Sequence, residues 1–98
     1  MIKHIVLLKM KPQTSDATIA RIDEALAGLQ DRISGIVDYL WGPYRSDEGL
    51  NHGYTHGFIM TFDTAASRDA YLPHPEHEKV KALVLEHVDG ALAFDFEV

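Results

Sequence analysis

The segment Ile2–Met10 constrains the fold more than any other part of the sequence. Its residues alternate, but both sides of the alternation are apolar: one side carries Val6 and Leu8, and the other carries Ile5 and Leu7. A strand with apolar side chains on both faces needs a cover on each of them. We therefore predict a buried first strand, covered by helices on one face and by a second layer on the other.

A helix is predicted after this strand. Pro12 ends the strand, and Thr14 or Ser15 can cap a helix that begins next. Apolar residues then recur at three- and four-residue steps and form one stripe: Ile19, Ile22, Leu26, Leu29 and Ile33. This spacing predicts one helix of about five turns. Gly35 is the expected helix stop.

Two further strands are predicted around a polar loop. Ile36–Trp41 has strand character and is ended by Gly42–Pro43. A polar, glycine-bearing stretch follows and is expected to be a long hairpin loop, residues 44–52. Thr55–Phe62 then alternates cleanly, with His56, Phe58 and Met60 on the same side.

Two prolines divide the second helical region. Leu72 and His74 each precede a proline, which disfavours the helical conformation at both. Pro75 suits the first turn of a new helix, where no backbone N–H is needed, so His74 is expected beside the helix cap. We predict two helices on either side of the prolines, Ala65–Tyr71 and Pro75–His87, then a turn and a last strand, Asp89–Gly90 and Ala91–Val98.

The order strand, helix, strand, strand, helix, strand is typical of the ferredoxin-like α+β fold. In this βαββαβ arrangement, helices cover one face of a four-stranded antiparallel sheet. The other face would then expose Ile5, Leu7 and Ile59. A second copy of the same sheet could cover it, so the pattern predicts a homodimer.

Composition narrows the possible functions. The 98 residues fit a single domain, 1–98, and contain no cysteine, which excludes disulfides and thiol nucleophiles. The net charge of −6, with scattered basic residues, argues against nucleic-acid binding. No apolar run is long enough to span a membrane and no signal-peptide pattern begins the chain, so we expect a cytoplasmic protein.

Several polar side chains are predicted to meet in the layer between helices and sheet. His4 shares its side of the first strand with Val6 and Leu8, and His56 shares its side with Phe58 and Met60. Tyr71 and His77 could enter the same layer from the helices. Such a cluster either binds a small ligand or forms a buried network that satisfies itself.

His77 is the strongest candidate for a general base. It is expected in the first turn of a helix, whose partial positive charge disfavours an imidazolium. A neutral imidazole can take a proton from a carbon next to a carbonyl, while Tyr71 donates a hydrogen bond to the oxygen that becomes negative. His87, near the end of the same helix, is expected to be solvated.

Zinc binding is an alternative use of the histidines. His74 and His77 stand three residues apart, and His52 and His56 stand four apart. The second pair lies in a loop and a strand, where that spacing does not bring rings together. No carboxylate pattern completes a ligand set, so we predict no metal site and no cofactor.

These segments together resemble the stress-responsive A/B barrel (Dabb) family. The similarity runs over essentially the whole chain, in order, and is carried by short motifs: Lys3-His4-Ile5-Val6, Trp41-Gly42, Gly53-Tyr54-Thr55-His56, Thr61-Phe62, Tyr71-x-x-His74-Pro75-x-His77 and Phe94-Asp95-Phe96. Members of this family have the ferredoxin-like fold and pair their sheets into a dimeric α+β barrel.

The resemblance also implies a possible activity. One plant branch of the family performs an aldol cyclisation of a linear polyketide without metal or organic cofactor. By that resemblance, Tyr71 and His77 correspond to an acid–base pair, and His4 and His56 correspond to pocket histidines. Leu26 falls where that branch has a tyrosine, so the substrate is expected to differ. The expected ligand is small, hydrophobic or carbonyl-bearing, and the alternative is a non-catalytic, ligand-binding or stress-related dimer.

Overall fold

The chain follows the predicted order of strands and helices. The computed structural model describes residues Met1–Val98. The elements are β1 Ile2–Met10, α1 Asp16–Gly28, a 3₁₀ turn Leu29–Asp31, β2 Ile36–Pro43, β3 His56–Phe62, α2 Ala65–Tyr71, α3 Pro75–Leu85 and β4 Val88–Glu97. This is the ferredoxin-like βαββαβ topology, and the predicted fold class is confirmed.

The four strands form one antiparallel sheet in the order β2-β3-β1-β4. On β1, His4 lies opposite Met60 of β3 and Asp95 of β4. The next residue, Ile5, lies opposite Ile59 and Phe94. Because residues opposite each other share a face, the sheet has a helix face, which contains His4, and a helix-free face, which contains Ile5.

The hydrophobic core lies between the helices and the helix face of the sheet. Met60 and Phe62 of β3 are completely enclosed, as is Ile22 of α1. Other enclosed side chains come from every element except β4: Ile2, Leu8, Met10, Leu26, Leu29, Ile33, Ile36, Phe58, Tyr71, Val80 and Val84. Burial of this apolar surface is the main favourable term for the single chain.

The first helix is shorter than the sequence predicted. Ser15 caps it by accepting a hydrogen bond from the Thr18 N–H, but its α-helical part ends at Gly28 and a 3₁₀ turn follows. Gly35 has a positive φ of 95°, and a Cβ there would lie 2.5 Å from Cβ of Ser67. The chain can therefore pass close to α2 only with a glycine at this position.

The predicted turn at Asp89–Gly90 is wrong. The last strand already begins at Val88, with Gly90 opposite Lys9, and the turn falls at Glu86–His87. Pairing with β1 outweighs the local turn signal. His87 is also not solvated as predicted: it is partly enclosed, and its Nε2 is buried without a hydrogen-bond partner.

Candidate functional site

The joint between α2 and α3 positions the two candidate catalytic side chains. Thr64 caps α2, which ends at Tyr71. His74 is itself the N-cap of α3, and its Nδ1 accepts a hydrogen bond from the Glu76 N–H at 3.1 Å. Pro75 occupies the first turn, as predicted, and His77 follows it. The proline pair thus folds the chain back so that His77 meets Tyr71.

Tyr71 is almost completely enclosed, yet its hydroxyl is free. Only 1% of the residue is exposed, and its ring packs 5.0 Å from Phe62 and stacks 4.0 Å from His77, measured between ring centres. The hydroxyl makes no hydrogen bond within the chain, and its oxygen is not fully buried. Burial raises the pKa of Tyr71, so the phenol keeps its proton and can donate it in a hydrogen bond.

His77 is held in one tautomer by the backbone. Its Nδ1 lies 2.9 Å from the Leu72 carbonyl oxygen. A carbonyl can only accept, so Nδ1 carries the proton and donates it, and Nε2 of the neutral ring is left as a free acceptor. Burial lowers the pKa of His77 and outweighs the opposing effect of the bond to Leu72. The ring is therefore neutral near pH 7 and suited to accept a proton.

His4 joins this pair from the sheet. Its ring centre lies 6.0 Å from that of Tyr71. Its Nδ1 lies 2.6 Å from Oδ1 of Asp95, and the guanidinium of Arg68 donates to Oδ2 of the same carboxylate, also at 2.6 Å. Nε2 of His4 makes no hydrogen bond within the chain. Arg68 and Asp95 were not predicted as site residues, although Asp95 alternates with Phe94 and Phe96 and so belongs to the face opposite those phenylalanines.

The three rings leave three free polar atoms in one corner of the helix–sheet layer. In both His4 and His77 the protein occupies Nδ1, and Nε2 is left without a partner. Tyr71, between them, keeps an unpaired hydroxyl. A buried network that satisfied itself would have paired these atoms with one another. The arrangement instead offers two imidazole nitrogens and one phenol hydroxyl to a ligand or to water.

His56 does not join this cluster. It lies opposite Leu8, whereas His4 lies opposite Met60, four residues further along β3. At about 3.3 Å per residue the two positions are roughly 13 Å apart. The His56 ring instead stacks on Trp41, with centres 5.5 Å apart, and its Nδ1 lies 2.9 Å from the Thr55 hydroxyl. Burial lowers the pKa of His56.

The predicted apolar lining residues divide into two groups. Leu8, Leu26 and Met60 are at most 3% exposed and pack in the core, and Phe58 is 6% exposed. Val6 packs against the same core and is partly accessible. Their contact with a ligand stays a prediction.

A wide cleft lies on the other side of the sheet. It has a volume of about 750 Å³ and runs between the helix-free face and the loop of residues 44–54. Its apolar floor is formed by Ile5, Leu7, Leu40 and Leu92, and His56 and Trp41 border it at one end. The sequence predicted an apolar face here but not the depth that the loop adds to it.

His74 and His77, which the spacing suggested as zinc ligands, form hydrogen bonds with different backbone groups. Nδ1 of His74 is taken by the backbone of Glu76, and Nδ1 of His77 by that of Leu72. No three histidine or carboxylate side chains are grouped closely enough to hold a metal ion. No helix is long and apolar enough to cross a membrane.

Comparison with known proteins identifies the family. Residues 2–98 match the model of the stress responsive A/B barrel domain, Dabb. The chain belongs to this family. The stress-response A/B barrel domain-containing protein HS1 of Arabidopsis thaliana is 30% identical over 96 residues, which cover 98% of this chain and 88% of HS1.

A second relative is an enzyme by name. The olivetolic acid cyclase of Cannabis sativa is 25% identical over 95 residues, which cover 97% of this chain and 94% of the cyclase. The matches to these two relatives cover 98% and 97% of this chain.

Solved structures agree with the fold. A crystal structure of an Arabidopsis thaliana protein superposes with a TM-score of 0.95 at 30% identity, covering 100% of this chain and 95% of that one. A protein of unknown function from Jannaschia, described as dimeric and ferredoxin-like, has a TM-score of 0.82 at 32% identity, with 99% and 98% coverage.

Proposed function

We propose that this Dabb protein is a cofactor-independent enzyme of the cyclase or lyase type that acts on a small carbonyl compound. The observation that carries the proposal is the pairing of an unprotonated, free Nε2 on His77 with a free, protonated hydroxyl on Tyr71, in stacked rings 4.0 Å apart. One group can accept a proton, and the other can stabilise a developing negative charge.

The chemistry begins with removal of a proton from a carbon next to the carbonyl. The C–H bond breaks, its electron pair becomes the enolate, and Nε2 of His77 takes the proton. The Leu72 carbonyl, which accepts the Nδ1 hydrogen, supports the imidazolium that forms. A positioned base contributes roughly 10²–10⁴ in rate. The enolate carbon then bonds to a second carbonyl carbon, whose oxygen takes the proton back from His77. In the reverse, lyase direction, His77 takes that hydroxyl proton, the carbon–carbon bond breaks, and the enolate carbon is reprotonated by His77.

We assign to Tyr71 the stabilisation of the negative charge that develops on the substrate oxygen. Its hydroxyl loses no internal hydrogen bond when it turns toward a substrate, because it has none. A hydrogen-bond donor of this kind adds a factor of about 10²–10³ to the catalytic rate. His4, with Nε2 free, orients the substrate or the phenol. The similarity to olivetolic acid cyclase over 95 residues supports this reaction class. Leu26, in place of the tyrosine expected by that resemblance, argues for a different substrate.

The proposed active form is a homodimer joined through the helix-free face. Phe94 is 61% exposed there, Leu40 is 59% exposed and Leu92 is 42% exposed. A contiguous apolar surface of this kind is uncommon on a monomer. A similar protein, 32% identical, is described as dimeric. The second sheet would cover the cleft floor of Ile5 and Leu7.

Deuterium exchange tests the proposed chemistry without knowledge of the substrate. The protein is incubated in D₂O with a medium-chain methyl ketone or a β-diketone, and deuterium uptake beside the carbonyl is followed by NMR. We expect uptake above the buffer rate for the natural chain and none above it for His77→Ala at an unchanged melting temperature. Uptake that is the same in both proteins removes His77 from the mechanism.

A non-catalytic, ligand-binding or stress-related dimer is the second candidate. It is favoured by the tight packing of Leu8, Leu26 and Met60, which are at most 3% exposed. In that case deuterium exchange of a carbonyl compound never exceeds the buffer rate, whether or not the compound binds.

A further inference from the structure

We infer that the partner subunit's Leu92 enters the wide cleft above Gly42, so that the cleft is a socket for assembly and not a second ligand site. The inference rests on the homodimer of the proposed function and deepens it, because it fixes which strands of the two copies face each other. It leaves the corner between Tyr71 and His77 as the place where a small molecule binds.

One row of residues across the sheet accounts for the shape of the cleft. Four residues lie side by side in the strand order β2-β3-β1-β4: Gly42, Gly57, Leu7 and Leu92. They belong to the helix-free face, because Leu7 is two residues from Ile5 on the same strand. The row therefore carries glycines on one half of the sheet and leucines on the other.

The open recess in this row lies over Gly42. A Cβ added to Gly57 would lie 3.0 Å from Cδ2 of Leu7, so Leu7 already leans over that glycine. A Cβ added to Gly42 would meet no atom within 4 Å. Leu40 and Leu50 line the same cleft and are 59% and 68% exposed. An aliphatic side chain from outside the chain therefore finds both space and apolar neighbours here.

Symmetry selects the side chain that reaches the recess. A twofold dimer uses the same patch on both copies, and packed sheets keep their strand directions within about 30° of each other. An axis across the strands would place β4 on the partner's β4 and leave the recess facing β2. An axis along the strands, midway between β3 and β1, places β4 on the partner's β2 and brings the partner's Leu92 over Gly42. Leu92 is 42% exposed and is free to make this contact in both directions.

The extent of the apolar surface favours a second copy as the occupant. The surface continues beyond the cleft to Phe94 and Phe96, which are 61% and 45% exposed and do not line the cleft. A second sheet covers the cleft and the phenylalanines together, whereas a small ligand in the cleft would leave the phenylalanines in water. A 32% identical relative is described as dimeric.

Disulfide trapping tests the inference, because the natural chain contains no cysteine. Gly42→Cys and Leu92→Cys are combined in the full chain. Within one copy these positions are three strand spacings apart, about 14 Å, whereas the Cα atoms of a disulfide lie within about 7 Å. A bond between positions 42 and 92 must therefore join two copies. After mild oxidation, we expect most of the double variant to run as a covalent dimer on a non-reducing gel.

The two single cysteine variants are the matched controls. Each cysteine lies to one side of the axis, so each single variant should remain non-covalent. If Leu92→Cys or Phe94→Cys alone gives a covalent dimer, β4 faces the partner's β4 and the inference is wrong. If the double variant is dimeric but forms no 42–92 bond, the inference is also wrong, although the homodimer stands. If Gly42→Cys does not fold, replacement of Leu92 by photoreactive benzoylphenylalanine gives the same test, and the cross-linked peptide must contain residue 42.

A size exchange across the interface tests the recess itself. Gly42→Leu fills the recess from within its own chain, so the fold should persist. The dimer dissociation constant should rise about a hundredfold or more, because the partner's Leu92 is displaced at both contacts. Adding Leu92→Ala to Gly42→Leu should restore most of the affinity. Gly42→Leu with the dissociation constant of the natural chain would overturn the inference.

Two further results separate the occupants and the proposals. If the natural dimer binds the apolar dye ANS, and Gly42→Leu abolishes this binding but stays dimeric, the cleft is a ligand site and the inference is wrong. A natural chain that is a monomer would remove the homodimer and this inference together. A covalent 42–92 dimer in a protein without carbonyl exchange would support the inference while the proposed enzyme activity fails.

Discussion

The two faces of the sheet differ in the kind of group that they leave without a partner. On the helix face the apolar side chains are enclosed, with Met60 and Phe62 at 0% exposure, and the unpaired groups are polar. On the helix-free face the unpaired groups are apolar, with Phe94 at 61% exposure. The same strands supply both faces. We therefore propose that the helix face offers hydrogen bonds to a small ligand and that a second copy of the chain covers the helix-free face.

The largest expected effect comes from placing a charge on the helix-free face. Leu7→Asp would bury an unpaired carboxylate in the proposed interface, which costs about 3–5 kcal/mol. Sedimentation at micromolar concentration should give about twice the 11.0 kDa chain mass for the natural protein and a monomer for the variant.

Leu85→Asp is the control for that experiment. Leu85 is 52% exposed but lies at the end of α3, on the helix side. This variant should remain a dimer. A natural protein that sediments as a monomer would remove the proposed reason for the exposed apolar face.

The second-largest effect is expected on the helix face, where removing the hydroxyl of one tyrosine is compared with removing that of another. Tyr71→Phe should lower carbonyl exchange by about 10²–10³ because the oxyanion donor is lost. Its melting temperature should hardly change, since the hydroxyl makes no internal hydrogen bond. Exchange rates and thermal melts of the same preparations test both statements.

Tyr39→Phe should behave in the opposite way. The Tyr39 hydroxyl donates to the Asp23 carboxylate at 2.9 Å, and loss of this bond costs about 1 kcal/mol. Exchange should be unchanged, because the Tyr39 hydroxyl is already engaged by Asp23. If Tyr71→Phe unfolds the protein while Tyr39→Phe does not, Tyr71 is a core residue and not a donor.

The smallest effect is a dependence of stability on pH. Burial holds the pKa of His77 and of His56 below the ordinary 6.5. Below about pH 6.5 the unfolded chain therefore binds more protons than the folded one, so stability is lost as the pH falls toward the folded-state pKa values and is fully present above 6.5. Urea midpoints between neutral and mildly acidic pH should fall, and the fall should be smaller in His77→Gln.

Local patterns were sufficient to predict most of the fold. The double apolar alternation of β1 predicted two faces that both need a cover, and the prolines at 73 and 75 predicted the joint between α2 and α3. The error at Asp89–Gly90 arose because pairing of Gly90 with Lys9 outweighs a two-residue turn signal. Such pairing depends on a strand more than eighty residues away in the chain, which no local pattern contains.

The candidate site was less accessible to sequence reasoning. Alternation correctly placed His4 and His56 on one face of the sheet, but only the register reveals that they are separated along it. The contact of His4 with Asp95 joins residues 91 positions apart, and that of Arg68 with Asp95 depends on where α2 crosses the sheet. Side-chain pairs of this kind follow from tertiary geometry and not from periodicity.

The stack of Trp41 on His56 gives the chain an optical reporter. Trp41 is the single tryptophan of the sequence, and its ring centre lies 5.5 Å from that of His56. A protonated imidazole accepts an electron from excited indole far more readily than a neutral one. We therefore expect the fluorescence intensity of this protein to report the charge on His56.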